Sequence, residues 1–258
     1  MSEVSLMIYP WDVIADGPER VVETVAELGV DRLVIATAYH SAEVISPRRM
    51  DRVSTVAEAN TSHLPLDLDN FSNLSIPSSR IALEHPELYP SLKRAADEAG
   101  VALSGWGIAF HNSTMATARP DAAITNCFGD SFTHGLCPAN PDAERYAIEL
   151  MGAIAGSGLF DRVLVESLSY LLYNHGHPHE LWGARLDPTT RYLLSLCFCD
   201  NCHRQGTQRG IDVAALRLRV SRELYRTWNA EAPTGRDSDD GAEIASLHMM
   251  WPDLAAYT

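Results

Sequence analysis

Apolar residues along this chain fall into two rhythms, short unbroken runs and runs at helical spacing, and the two alternate. Residues 4–9, Val-Ser-Leu-Met-Ile-Tyr, predict a buried strand, and Pro10-Trp11-Asp12 behind it predicts a polar loop. Pro18 stands near the start of an amphipathic helix in which Val21, Val22, Val25 and Leu28 recur at helical spacing, closed by Gly29. Residues 30–40 are a second apolar strand, ending in His40. Strand, helix, capping glycine and strand make one βαβ unit, which is parallel and right-handed in nearly all proteins.

The rhythm then breaks over residues 41–86 into Ser, Asn, Pro and Asp, an insertion of the kind that carries sites or lids. It resumes with a helix over 87–100, capped by Gly100, and a third strand over 101–110 that runs into His111. A second irregular stretch, 112–140, holds Cys127, His134 and Cys137. Pro141, Asp142 and Glu144 open the next helix, with acids at the positive end of its dipole. Residues 160–166 are the fourth strand, with Glu166 at its carboxyl end. Beyond them lie a polar stretch with His175, His177 and His179, a cysteine cluster, a helix over about 213–228, and a fifth strand over 244–250 that places His248 near its end.

Strands each followed by an insertion predict an α/β fold: a (β/α)8 TIM-type barrel, or an incomplete one since about five strands are readable, forming a single domain over 1–258. In that architecture Asp12, His40, His111, Glu166 and His248 converge on the face formed by the strands' carboxyl ends. Glu166 directly follows Val163-Leu164-Val165, so its carboxylate projects from a buried strand and is the candidate general acid, with His40 and His111 beside it. Asp12, His175, His177 and His248 are candidates for substrate contact, and Trp106 for a flat platform, although core packing is the commoner use of an indole. Pro178 keeps 175–179 from forming a regular helix, which excludes a metalloprotease-like histidine pair.

Cys197, Cys199 and Cys202 lie within six residues, and thiolates are soft ligands suited to tetrahedral zinc. Cys137 is the better fourth ligand than Cys127, because it lies in the loop before the helix that leads to the fourth strand, while the cluster follows that strand. Four thiolates would close the coordination sphere and make the site structural.

The chain carries 20 basic and 34 acidic residues, a formal charge of −14 spread along its length, which argues against nucleic-acid and anionic-membrane partners and favours small neutral or cationic ligands. No apolar run reaches the roughly 18 residues of a membrane span and the amino terminus lacks a signal-peptide pattern, so a cytoplasmic protein is expected, with homo-oligomerisation left open.

The Cys-x-Cys-x-x-Cys cluster, the upstream Cys137 in Leu136-Cys137-Pro138-Ala139-Asn140-Pro141 and the strand-end Glu166 together resemble the zinc-bearing family 42 beta-galactosidases and related clan A glycoside hydrolase-like barrels, over roughly residues 100–205. The resemblance implies Glu166 as acid/base, Cys137, Cys197, Cys199 and Cys202 as zinc ligands, and a carbohydrate or glycosylated small molecule as substrate. A retaining glycosidase needs a second carboxylate about 5–5.5 Å from the first, and no residue is assigned to it. Two other readings stand beside this one. One is a metal-dependent hydrolase or isomerase in which His40, His111, Glu166 and one of His175, His177 or His179 bind a second, catalytic divalent ion. The other is a sugar-binding barrel without catalysis.

Overall fold

The computed structural model describes residues 3–46, 53–67, 69, 71–174, 183–184, 186–229 and 240–258, with 240–242 described as helix backbone only. In chain order the elements begin β1 (Ser5–Ile8), α1 (Pro10–Asp16), α2 (Pro18–Glu27), β2 (Arg32–Tyr39), β3 (Ala42–Ile45), β4 (Ser54–Ala57) and β5 (Thr61–Ser62). They continue with α3 (Arg80–Glu84), α4 (Leu88–Ala99), β6 (Ala102–Ile108), α5 (Ser113–Ala118), β7 (Ala123–Thr125), β8 (Ser131–Leu136), α6 (Pro141–Gly156) and β9 (Arg162–Glu166). Five helices close the chain: α7 (Pro188–Ser195), α8 (Asp200–Gln208), α9 (Val213–Asn229), α10 (Asp240–Met250) and α11 (Pro252–Tyr257). They belong to two compact units, one of Met1–Thr114 with Glu144–Leu168, the other of Met115–Ala143 with Ser169–Thr258.

The first unit is built on a mixed sheet whose parallel strands run in the order β1-β2-β6-β9, with β5 antiparallel against the end of β2. Among the described strands β1 and β9 end this path and no pairing closes it into a barrel. Each face of the sheet is set by side-chain size. Cβ atoms at Gly105 and Gly107 would meet Ile154 at 3.0 and 2.8 Å, so these glycines let α6 lie close on one face. Alternation then sends Trp106 and Ile108 to the other face, where Val34, Ala36 and Tyr39 pack with them.

Tyr39 reaches that face because β2 bulges. Ala36 pairs with Trp106 but Ala38 pairs with Gly107, leaving Thr37 as the extra residue. The groups freed by the bulge are satisfied: the Thr37 hydroxyl donates to the Trp106 carbonyl at 2.9 Å, the buried Tyr89 phenol donates to the Ala36 carbonyl at 2.6 Å, and the His63 amide donates to the Thr37 carbonyl at 2.7 Å. At the opposite ends of the strands, Arg32 is buried and paired, its guanidinium donating to Glu3 at 2.7 Å and to the Ser104 hydroxyl at 3.0 Å.

The second unit is mostly helical. A β7–β8 hairpin and helices α7 to α11 enclose an apolar cluster in which Val220, Leu224 and Leu254 are fully buried. A smaller cluster joins Ile124, Phe132 and Leu171 to Cys137, Cys197, Cys199 and Cys202. Among the described residues no helix is long and apolar enough to cross a membrane.

Three local expectations are corrected. The strands over 4–9 and 160–166 are not buried: β1 and β9 end the strand path, and Leu6, Met7 and Leu164 are exposed on them. Residues 244–250 are not a fifth strand but lie in α10, so His248 is not at a strand end. Ile-Ala-Ser-Leu-His-Met-Met is too short for its period to decide, and Ala, Leu and Met favour helix, with Leu247 the buried contact. Asp12 is not in a loop either. Pro10 starts α1 immediately after the strand, and Asp12 occupies its first turn, where a carboxylate suits the helix dipole. The insertion 41–86 contains the β3–β4 hairpin, β5 and α3, and the stretch 112–140 contains α5 and the β7–β8 hairpin.

Candidate functional site

In the first unit, β9 ends in Glu166, and register places Glu166 opposite Ile108 of β6. Its Oε2 accepts the indole N–H of Trp106 at 2.7 Å. Trp106 is only 4% exposed, so the indole is a buried post that fixes the carboxylate rather than an open platform. Immediately past Glu166 the chain takes a positive φ of 55° at Ser167, a rare conformation for a residue with a Cβ, and turns away. The Ala109 and Phe110 amides donate to the Glu166 and Ser167 carbonyls at 2.9 and 3.0 Å, so the turn is pinned to the end of β6.

From the Trp106 indole a continuous set of ring contacts extends across this end of the sheet. Tyr9, directly after β1, stacks on Trp11 at 4.6 Å, and the Tyr9 and Tyr39 hydroxyls are 3.2 Å apart. Tyr39 meets Trp106 edge-on at 5.0 Å. Burial, then the hydrogen bond with Tyr9 and the charges of Tyr9 and Glu166, raise the Tyr39 pKa, so its phenol stays protonated as a donor. His40 stacks on Tyr39 at 4.3 Å and lies 4.6 Å from the His111 ring. The His40 Nδ1 sits 2.8 Å from the Ser41 carbonyl, which can only accept, so Nδ1 donates there and the ring orientation is fixed. His111 is held through its carbonyl by the Asn60 side chain at 3.2 Å, and Asn60 itself has a φ of 52°, which asparagine tolerates. The expected His40, His111 and Glu166 therefore all belong to this end of the sheet.

Sequence reading missed His63. It follows β5 and is 1% exposed. Its Nδ1 lies 3.0 Å from the Ser79 hydroxyl, its ring meets Trp11 edge-on at 5.9 Å, and neither His63 Nε2 nor Trp11 Nε1 has a hydrogen-bond partner among the described residues. Burial lowers the imidazole pKa to about 4, against an opposing effect of Glu58, so it is neutral at pH 7. A lone histidine inside a polar insertion gives no periodic signal; only the pairing of β5 with β2 carries it to the strand ends.

The cysteines form a separate group in the second unit. The Cys137 sulfur is 3.5 Å from that of Cys202, 3.6 Å from Cys199 and 3.7 Å from Cys197. All four are buried, and their sulfurs lie within 4.8 Å of one another, a set that could hold a metal ion. Local structure explains the spacing. Cys137 follows β8, and Asn140 caps α6 by accepting from the Asp142 and Ala143 amides at 2.9 and 3.2 Å, with Pro141 as its first residue. Cys199 is the N-cap residue of α8 and Cys202 lies in its first turn, while the Thr125 amide donates to the Cys197 sulfur at 3.4 Å. The Tyr170 hydroxyl lies 3.3 Å from the Cys202 sulfur. Cys127 is elsewhere, in the helical core, where burial raises its thiol pKa to about 11.

The remaining candidates separate from both groups. His248 belongs to the second unit and its Nε2 lies 2.7 Å from the Tyr192 hydroxyl. His175, His177 and His179 lie outside the described residues. Among the described residues, the thiol set is the group of three or more ligands that could hold a metal ion; His40, His111 and Glu166 do not form one.

No protein-family profile matches the chain, and no curated protein sequence matches it. Among solved structures it is similar to alpha-L-fucosidase isoenzyme 2 from Paenibacillus thiaminolyticus, at 14% identity over 91% of this chain and 32% of that one, with a TM-score of 0.46. A hypothetical protein from Ruminiclostridium thermocellum gives 15% identity over 62% of this chain and 74% of that one, with a TM-score of 0.40. An alpha-amylase from Lactobacillus plantarum gives 14% identity over 66% and 38%, with a TM-score of 0.37. The chain thus spans about a third of the fucosidase. With TM-scores below 0.5, these likenesses establish neither the fold nor the reaction.

Proposed function

We propose that the protein is a glycoside hydrolase-like enzyme acting on a carbohydrate or glycosylated small molecule, with Glu166 as general acid/base. The observation that carries this reading is the 2.7 Å hydrogen bond from Trp106 to Glu166 Oε2 at the carboxyl end of a parallel strand. One carboxylate oxygen is anchored from within the sheet, which orients the other for proton transfer. Tyr39, His40 and His111 supply a protonated phenol and two imidazoles, groups that hydrogen-bond sugar hydroxyls, and the aromatic rings beside them suit the apolar faces of a pyranose. The reading of residues 1–258 as one (β/α) barrel belongs to this proposal.

The test is a panel of activated aryl glycosides assayed with the native protein and with Glu166→Gln. Turnover by the native protein that falls by about 100- to 10,000-fold in the variant supports the assignment. A panel with no turnover, or a variant as active as the native protein, overturns it.

The four thiols fit zinc in a structural role. A tetrahedron with arms of about 2.3 Å has edges of about 3.8 Å, and the three sulfur separations from Cys137 run from 3.5 to 3.7 Å. When bound, the ion would cross-link the loop after β8, the residues leading into α8 and the first turn of α8. With four thiolate donors it would have no open position for substrate.

A further inference from the structure

A cavity of about 450 Å³ lies wholly within the second unit, and none of its lining residues belongs to the Glu166 group. Its walls are Tyr170, Tyr192, Tyr257, Leu171, Leu172 and Leu196, and Cys197 and Cys202 also border it. A volume of this size accommodates a small organic ligand.

The three phenols do not make the cavity polar, because each hydroxyl is engaged by the protein. Tyr257 donates to the Cys197 carbonyl at 2.6 Å, Tyr192 lies 2.7 Å from His248 Nε2, and Tyr170 lies 3.3 Å from the Cys202 sulfur. These bonds fix the rings, so the walls are preformed and chiefly carbon. Gly206 is part of the same construction: a Cβ there would meet Val213 at 2.6 Å and the Tyr257 ring at 2.8 Å, so only glycine lets that ring close on α8.

Arg209 is the one charged side chain on the lining. It follows the last turn of α8, four residues after Gln205, which also lines the cavity. It is exposed, so it stands at the rim of the cavity in contact with solvent, and among the described residues its guanidinium has no ion-pair or hydrogen-bond partner, as is also the case for the exposed Arg20 and Arg222. A guanidinium at the rim of an otherwise apolar cavity is a local counter-charge for a carboxylate, against the acidic balance of the chain as a whole.

We propose that this cavity binds a small amphiphilic carboxylate, its apolar body between the tyrosine and leucine side chains and its carboxylate on Arg209. The site is distinct from that of Glu166 and does not depend on the glycosidase reading.

Calorimetric titration of the purified full chain with 4-phenylbutyrate, 4-phenylbutanol and 4-phenylbutylamine tests the proposal. The acid is expected to bind at one site, about tenfold more tightly than the alcohol, with the amine weakest. Arg209→Gln should bring the acid down to the affinity of the alcohol while leaving the alcohol unchanged. Leu172→Trp, at a half-exposed position on the wall, should weaken both by narrowing the cavity. Absence of saturable binding, equal affinities for acid and amine, or an acid affinity that survives Arg209→Gln overturns the proposal. Unchanged circular dichroism spectra and metal content in both variants confirm that the comparison is between folded proteins.

Discussion

Glu166 reaches its place at the end of a strand whose five residues are registered against β6, whereas the four thiols come from the end of a hairpin, a short connection and the first turn of a helix. In the first region a half-buried carboxylate is held by an indole, and from that indole a run of unlike rings, two phenols and two imidazoles, extends along the strand ends. The second gathers four identical donors, all buried, with amide and phenol hydrogen bonds to individual sulfurs. A set of like, soft donors is suited to holding an ion, while unlike donors around one carboxylate are suited to positioning a substrate and moving a proton. Substitutions should therefore separate: the thiol region should answer in stability and the Glu166 region in rate.

Cys199→Ser should have the largest effect. With the fourth thiolate gone, metal content should fall and the second unit should lose several kcal/mol, lowering the melting temperature by about 10 °C or more. Amide hydrogen exchange should localise the loss to α7, α8 and β8 and spare β2 and β6. A variant that melts like the native protein with its metal content intact would remove the basis of the contrast.

Acidification should next discriminate within the first unit. Buried His63 has a pKa of about 4 against an ordinary 6.5, so between these values the unfolded chain binds more protons than the folded one. Stability should therefore fall as pH drops from 6.5 to 4, with His63 contributing on the order of 3 kcal/mol. Urea unfolding at several pH values should show a shallower dependence in His63→Gln than in the native protein. Identical slopes would mean that His63 exchanges protons as freely as an exposed histidine.

Gly206→Ala should cost about 1–3 kcal/mol through overpacking against Val213 and Tyr257, measurable as a lower urea midpoint and with no effect at the first unit. Trp106→Phe is the mildest. It keeps most of the ring's packing but removes the donor to Glu166, so any glycosidase rate should fall about tenfold while stability changes by about 1–2 kcal/mol. If rate and stability instead fall together by large factors, the indole is chiefly a core residue and the carboxylate is not individually positioned.

The sequence made much of this legible. The strands β1, β2, β6 and β9, the helices α2, α4 and α6 and the Gly100 cap follow from apolar rhythm, because apolar strand runs and amphipathic helices carry strong local patterns, even where, as on β1 and β9, the apolar side chains stay exposed. Cys137 was recognisable as the partner of the cluster from its place before α6, and the geometry puts its sulfur against the other three. Residues 244–250 and Asp12 were misread because a seven-residue apolar stretch and a Pro-led turn each suit two structures. The hairpins within the insertions carried no clear period.

Local chemistry thus determined by itself where the four parallel strands and helices α2, α4, α6 and α9 form, which cysteines could share an ion, and that Glu166 ends a strand. Tertiary structure alone decided what surrounds that carboxylate. The bulge at Thr37 that turns Tyr39 toward Trp106, the pairing of β5 that delivers His63, and the glycines of β6 that let α6 close all join positions distant in sequence. Such contacts are selected by packing and by the need to satisfy buried backbone groups, and neither leaves a pattern within a short stretch of chain.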